Sequence, residues 1–321
     1  MPDNAFPGSA ESIWQGVMAM GLPSLAGFSV EILPEIDSTN TELMRRARAG
    51  RTEPTLLVAQ HQTAGRGRLG RQWHSGAPSP ADNNAGTTAP SLTFSLGLLL
   101  QPQAWDGLSL AVGVSVASSL HPRIQLKWPN DLWVDDCKLA GILIETQQTL
   151  GPDGEVGGAV GGVAGNAGAG SKARYTVIGV GINITPRPPE ALASVSTPAV
   201  GLVQLEPSIT AAQALNRVAA ALLGDVLLFE REGFAAFATR FAARDALAGR
   251  PLLLSDGTQG TGRGVDAQGA LRVHTAGGEQ RVTSNEVSVR PASGPTGAPS
   301  AIGVGKPAAF LPTTTGPAGS R

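Results

Sequence analysis

The sequence is short of cysteine, lysine and charge, and each shortage excludes something. One cysteine, Cys137, in 321 residues rules out an internal disulfide and any multi-cysteine metal cage. That usage suits a reducing, cytoplasmic setting. Charged residues make up 15% of the chain, against roughly 25% in ordinary soluble proteins. The formal net charge is −1, which argues against a broad electrostatic footprint for nucleic acid or an anionic membrane. An anion would have to be met by a local site. No lysine or arginine precedes Arg45, so the N-terminus lacks the basic region of a secretory or transit signal. No apolar run reaches the roughly 18 residues of a membrane span. Of 24 basic residues only Lys127, Lys138, Lys172 and Lys306 are lysines. In a chain that writes arginine for generic positive charge, a lysine kept inside a well-patterned segment is a candidate for a role the planar guanidinium cannot fill. Lys127 and Lys138 meet that test.

What the chain has in plenty is glycine and proline, 42 and 24 residues, unevenly spread. Residues 76–90 and 149–173 read as turn-rich or glycine-rich insertions, and 291–321 as a disordered tail. Residues 1–30 read as an arm or one marginal helix, too short for a DNA-binding winged-helix domain. "EIDSTNTELMRRARAG" predicts a helix, with Thr39 and Glu42 at capping-box spacing and Gly50 as the C-terminal glycine. "TLLVAQ", "SLTFSLGLLL" and "YTVIGVGINI" predict buried strands, and 123–146 two strands interrupted at Pro129 and again near Asp135 and Asp136. Residues 106–120 predict a helix, and 210–247 two helices, the first long. From 249 to 290, short strands with turns at "SDGT", "DAQG" and "AGGE" predict a small β domain after a catalytic domain spanning 31–248.

Five polar or glycine-spaced motifs interrupt the hydrophobic segments: "DSTN" at 37–40, "QTAGRGRLGRQW" at 62–73, "KWPND" at 127–131, "KLAG" at 138–141 and "GVGIN" at 179–183. "DSTN" alone could be a helix cap, and "GVGIN" a strand whose glycines admit a packed neighbour. The Gly/Arg stretch is more specific. It follows a buried strand, its glycines let backbone approach a ligand, and its arginines can close over an anion. No GK[ST] follows it, so it is not a Walker A loop. Lys138 offers a compact charge that can follow a reacting carboxylate or phosphoryl oxygen, or else a salt bridge to Asp135 or Asp136. His61, His74, His121 and His274 show no metal-ligand spacing.

In this order and spacing the motifs resemble the catalytic domain of biotin protein ligases, from about Glu31 to Asn183, with the likeness resuming at "GRGVDAQGALRV". The resemblance implies an α/β (α+β) fold: a mixed-sheet catalytic domain of the biotin/lipoate ligase type followed by a small SH3-like β-barrel. It also implies two half-reactions. Biotin's carboxylate attacks the α-phosphate of ATP, with Mg²⁺ on the phosphates, giving biotinyl-5′-adenylate. A lysine of a biotin carboxyl carrier protein, the acetyl-CoA carboxylase subunit, then takes the biotinyl group. Carried over residue by residue, Ser38, Thr39, Asn40, Gln62, Gly65, Arg66, Gly67, Arg68, Lys138 and Gly141 would hold biotin. Arg68, Arg71, Trp73, Asn130, Asp131, Lys138, Asn183 and Arg290 would hold ATP, and Lys138, Arg66 and Arg68 would carry the chemistry. A monofunctional enzyme without a DNA-binding domain is expected, acting as monomer or homodimer without DNA or membrane. The alternatives are a lipoate or octanoate ligase of the same fold, and a nucleic-acid-binding regulator using the Gly/Arg loop.

Overall fold

The structure is a computed structural model, and it describes residues 6, 8–75, 89–148, 173–186, 198–283 and 289–291. The bulk of both predicted insertions and of the predicted tail lies outside those residues, as do Lys172 and Lys306.

Seven strands form the main sheet: β1 (Ser29–Ile36), β2 (Thr55–Gln62), β3 (Ser91–Leu100), β4 (Gln125–Lys127), β5 (Asp131–Val134), β6 (Cys137–Gln148) and β7 (Arg174–Asn183). Their spatial order is β1-β2-β3-β7-β6-β5-β4. Only β1 and β2 run parallel; every other pair is antiparallel, so the sheet is mixed as expected. The β5–β6 connection turns on Asp135 and Asp136, both at positive φ (49° and 64°), the backbone of a tight hairpin turn.

Helices cover both faces. On one side lie α1 (Ser9–Met18), α3 (Leu108–Leu120) and α4 (Ala211–Glu232), packed on Leu56, Val58, Leu92, Phe94, Ile178 and Val180. Helix α3 is apolar around nearly its whole circumference, as a helix enclosed on all sides must be. Helix α4 starts at a capping box in which Thr210 Oγ1 accepts from Gln213 N at 3.2 Å and Gln213 Oε1 accepts from Thr210 N at 2.9 Å. By length and composition alone α4 could cross a membrane, yet its apolar stripe is buried in this core.

Helix α2 (Thr39–Arg48) covers the opposite face through Leu43, Met44 and Ala47, against Leu57, Tyr175 and Val177. The helix starts one residue earlier than the capping-box spacing suggested. Ser38, in extended backbone, is the cap and accepts from Thr41 N at 3.4 Å, while Thr39 is buried in the site described below. Glu42 turns to Arg46 instead, accepting from its Nε at 2.9 Å. Gly50, at φ 79°, ends the helix as predicted.

The C-terminal strands, β8 (Pro251–Leu254), β9 (Gln259–Val265), β10 (Leu271–Thr275), β11 (Gly278–Val282) and β12 (Val289–Pro291), form an antiparallel sheet ordered β11-β10-β9-β8-β12. Gly257, Gly269 and Gly278 supply positive φ at the three predicted turns. This sheet touches the first at a defined point. Trp128 Nε1 donates to Gly269 O at 3.1 Å, and a Cβ on Gly269 would lie 2.9 Å from the Cα of Gly107, the residue that caps α3.

Candidate active site

Strand periodicity makes the floor of the site. On β3, Leu92, Phe94 and Leu96 enter the large core, so Thr93, Ser95 and Gly97 face the side of α2. On β7, Ile178, Val180 and Ile182 do the same, leaving Gly179, Gly181 and Asn183 on the α2 side. Register then aligns Lys127, Asp131, Gly141, Gly181, Thr93 and Ala59 in one row across six strands. A second row runs Leu143, Gly179, Ser95 and Leu57. Glycines in the middle of both rows remove side chains and leave a shallow trough.

One end of the trough is lined by neutral polar side chains. Gln62 Oε1 accepts from Thr39 N at 2.8 Å and from Thr39 Oγ1 at 3.2 Å. The Ser95 hydroxyl donates to Asn40 Oδ1 at 2.6 Å and lies 2.7 Å from Thr39 Oγ1. Asn40 Nδ2 donates to Glu145 Oε2 at 3.0 Å and to Leu143 O at 3.3 Å. Asn40 reaches the floor only because position 179 is glycine, where a Cβ would stand 2.1 Å from its Oδ1. Ser38, Thr39, Asn40, Gln62 and Ser95 are all buried.

The other end is cationic. Lys138 Nζ lies 2.6 Å from Asp131 Oδ1, and Lys127 Nζ lies 3.9 Å from Asp131 Oδ2 and 5.1 Å from the centre of the Trp133 ring. Lys138 thus pairs with Asp131, whereas Asp135 and Asp136 are taken by Arg123 at 2.6 Å and Arg250 at 2.5 Å. Gly141 makes room for the lysine stem, since a Cβ there would sit 3.3 Å from Lys138 Cε and Nζ. Burial pushes the Lys127 ammonium below its ordinary pKa; Asp131 opposes this, and Lys138, Arg71 and Arg290 push it further down. Burial likewise lowers Arg68, with Asp131 opposing and Arg71 adding to the shift. Five cations therefore share this end with Asp131. Arg290, exposed on β12 of the C-terminal sheet, acts on Lys127 only through its charge.

The Gly/Arg stretch forms a hairpin over the trough. Trp73 N donates to Gly65 O at 2.9 Å, and Gly67 N donates to Arg71 O at 2.7 Å. The tip is a 3-10 turn, Arg68–Gly70, with Leu69 at φ 55° and exposed. Trp73 lays its indole on the floor, where a Cβ on Gly181 would be 2.4 Å from Cε2. Gly65 is required for a similar reason, because a Cβ there would lie 2.3 Å from Trp73 O. Arg68 Nη1 donates to Asn130 Oδ1 at 3.4 Å, Asn130 Nδ2 to Ile142 O at 2.9 Å, and Asn183 Nδ2 to Lys138 O at 3.2 Å. Arg66 points the other way, to Glu145.

The structure thus gathers the sequence-derived residues around one trough, with Arg290 at its margin. Sequence reasoning missed Thr93, Ser95 and Glu145, and left Gly179 and Gly181 as members of the "GVGIN" motif with no named part in the site. The signal for the four on β3 and β7 was present, since "SLTFSLG" and "VIGVGIN" alternate large apolar with small residues at period two. Chemically, the trough suits an elongated ligand with an uncharged hydrogen-bonding head, a flat apolar middle and an anionic tail beside a second anion.

Residues 32–154 match the biotin/lipoate A/B protein ligase family, and 252–290 the biotin protein ligase C-terminal domain. The chain is 32% identical over 301 residues to the bifunctional ligase/repressor BirA of Escherichia coli (strain K12), covering 89% of this chain and 83% of that one. It is 31% identical over 276 residues to a Mycobacterium tuberculosis biotin–acetyl-CoA-carboxylase ligase, covering 80% and 88%. Among solved structures, an Aquifex aeolicus biotin protein ligase in complex with biotin and ATP superposes with a TM-score of 0.60 at 25% identity, covering 82% of this chain and 99% of that one.

Proposed function

That the chain belongs to the biotin protein ligase family is the premise from which we propose how its residues share the work of ATP-dependent biotin ligation. The activity is that of an enzyme joining biotin to protein at the expense of ATP. These relatives, all named with a ligase activity, favour neither a lipoate ligase nor a regulator without that activity. The observation that carries the division of labour is the polarity of the trough, lined by neutral polar side chains at the α2 end and cationic at the Lys138 end.

Biotin's ureido head fits the Thr39, Asn40, Gln62 and Ser95 end, with Ser38 fixing the start of α2. Its apolar bicycle and chain fit along the glycine floor beside the Trp73 indole, which itself lies on Gly181. Its carboxylate then falls near Lys138 and Arg68. No general base is needed, because a carboxylate is already ionised at pH 7. The obstacle is bringing it to the α-phosphate: two unit charges 4 Å apart repel by about 4 kcal/mol at the effective dielectric of a protein surface. Lys138, Lys127, Arg68, Arg71 and Arg290 offset that repulsion, and Asp131 holds both lysines in place. As the carboxylate oxygen bonds to phosphorus, the bond to pyrophosphate breaks. Asn130 and Asn183 brace the backbone beneath the nucleotide. Mg²⁺ would enter on the ATP phosphates, with Asp131 the carboxylate at that end.

In the second half-reaction an amine of a biotin carboxyl carrier protein attacks the acyl carbon and AMP leaves. The protein is read as a cytoplasmic monomer or homodimer acting without DNA or membrane, in keeping with its single cysteine and net charge of −1. The test is biotin-dependent exchange of labelled pyrophosphate into ATP by the full-length protein. Exchange with biotin is expected; exchange with lipoate alone would select the other ligase chemistry, and none with either would overturn both.

A further inference from the structure

Glu145 has no part in the reaction as described, yet its carboxylate joins three elements. Arg66 Nη2 lies 3.0 Å from Glu145 Oε1, and Arg66 Nη1 donates to Oε2 at 3.2 Å, a two-point pairing between the hairpin and β6. The same Oε2 accepts from Asn40 Nδ2 at 3.0 Å, tying in the first turn of α2. Glu145 lies four residues along β6 from Gly141, about 13 Å at the rise of a strand. The charge of Arg66 is therefore neutralised well away from Lys138 and Asp131. Arg66 belongs to the family's Gly/Arg loop, but its partner here gives it mechanical rather than electrostatic work.

We propose that Glu145 is a positioning residue that latches the hairpin down through Arg66 and so sets how long biotinyl-adenylate is retained between the two half-reactions. The proposal rests on the biotin ligase reading of the trough. A latch must hold through adenylation and yield before the carrier lysine can enter, which favours a moderate bond. This pair fits: the side chains are 48% and 22% exposed, so water and salt screen it. Asn40 couples the latch to the biotin end, because the carboxylate that holds Arg66 also orients the amide packed on Gly179.

The experiment uses full-length protein carrying Glu145→Gln, Glu145→Asp, Arg66→Gln, or Glu145→Gln with Arg66→Gln. Each is assayed for biotin-dependent pyrophosphate exchange and for labelling of lysines on a bystander protein, which reports adenylate escaped into solution. The readout is the ratio of labelling to exchange. In Glu145→Gln and in Arg66→Gln the ratio should rise by about 5-fold, the scale of a well-formed but partly exposed pair. The double variant should be no worse than the worse single, and Glu145→Asp should recover part of the loss. Raising ionic strength should increase the ratio in the unmodified protein and leave the Gln variants unchanged. An unchanged ratio in either Gln variant, strictly additive effects in the double, or a salt-insensitive ratio in the unmodified protein would each overturn the latch. Should Glu145→Gln fold poorly, Arg66→Gln applies the same test from the exposed side. Absence of biotin-dependent exchange in the unmodified protein would instead overturn the reading of the trough, and the latch with it.

Discussion

Gly181→Ala should separate the floor of the trough from the stability of the sheet. The new methyl would stand 2.4 to 2.8 Å from three carbons of the Trp73 indole, where carbon atoms rest at about 3.5–4.0 Å. Something must move by about 1 Å or more. The strand cannot, because Gly181 is paired with Thr93 on one side and Gly141 on the other. Trp73 can, since it hangs from a hairpin held by a few backbone and side-chain bonds. Overpacking of this kind costs about 1–3 kcal/mol, and relief by the hairpin should keep the loss of folding stability near the low end. A displacement of that size in a reaction site costs about 100-fold in rate, so biotin binding and adenylation should fall by that order. Gly97→Ala is the control, placing a methyl 2.2 Å from the Tyr175 hydroxyl in the α2 core. It should cost about 1–3 kcal/mol in urea unfolding while leaving the KM for biotin nearly unchanged. The measurements are urea titrations, calorimetric titration with biotin, and pyrophosphate exchange. If Gly181→Ala binds biotin normally while losing stability as Gly97→Ala does, the indole is not the roof over that glycine.

Lys138→Ala should abolish adenylation, by about 1,000-fold, with the thermal midpoint little changed because Asp131 keeps Lys127; pyrophosphate exchange near the normal rate would remove Lys138 from its role. Glu31→Gln should cost about 0.5–1 kcal/mol at pH 7, a figure already discounted for partial exposure. The Arg46 guanidinium, bonded at 2.7 and 2.8 Å, holds the Glu31 carboxyl below its usual 4.5, so this stability is present above that value and lost as pH falls through the lowered pKa. Unfolding curves of the two proteins should converge in acid, and a gap independent of pH would refute the pairing. Trp128→Phe should cost about 1 kcal/mol, the net worth of its bond to Gly269 O, and weaken ATP more than biotin. Equal effects on the two substrates in exchange assays would contradict that.

Much of the site was legible because its residues break local rules. A glycine and arginine run between two buried strands, a lysine in a chain that prefers arginine, and a serine and asparagine crowded around a helix start all stand out from their surroundings. What escaped is ordinary locally. Ser95 and Thr93 are unremarkable in a strand, and become part of the site only because register sets them opposite Gly179 and Gly181. Glu145 meets partners 79 and 105 residues away, a separation no local pattern encodes. The Lys138 partner was misjudged between near neighbours for a similar reason. Asp135 and Asp136 are closer in sequence, but the hairpin turn that they form directs them to Arg123 and Arg250, while register across β5 and β6 sets Asp131 beside Gly141.

The bond from Trp128 to Gly269 has a consequence for how this chain can change over time. The two family matches, 32–154 and 252–290, are separated by nearly a hundred residues and read as independent modules. Yet the turn presenting Asn130 and Asp131 is propped by a carbonyl of the second, at a glycine that also abuts the cap of α3. A graft of one module from a distant relative would bring its own turn shape to that contact and shift the anion end of the trough without altering a residue in it. Chimeras should therefore fail at ATP before they fail at biotin, and the segments are expected to be inherited as a matched set.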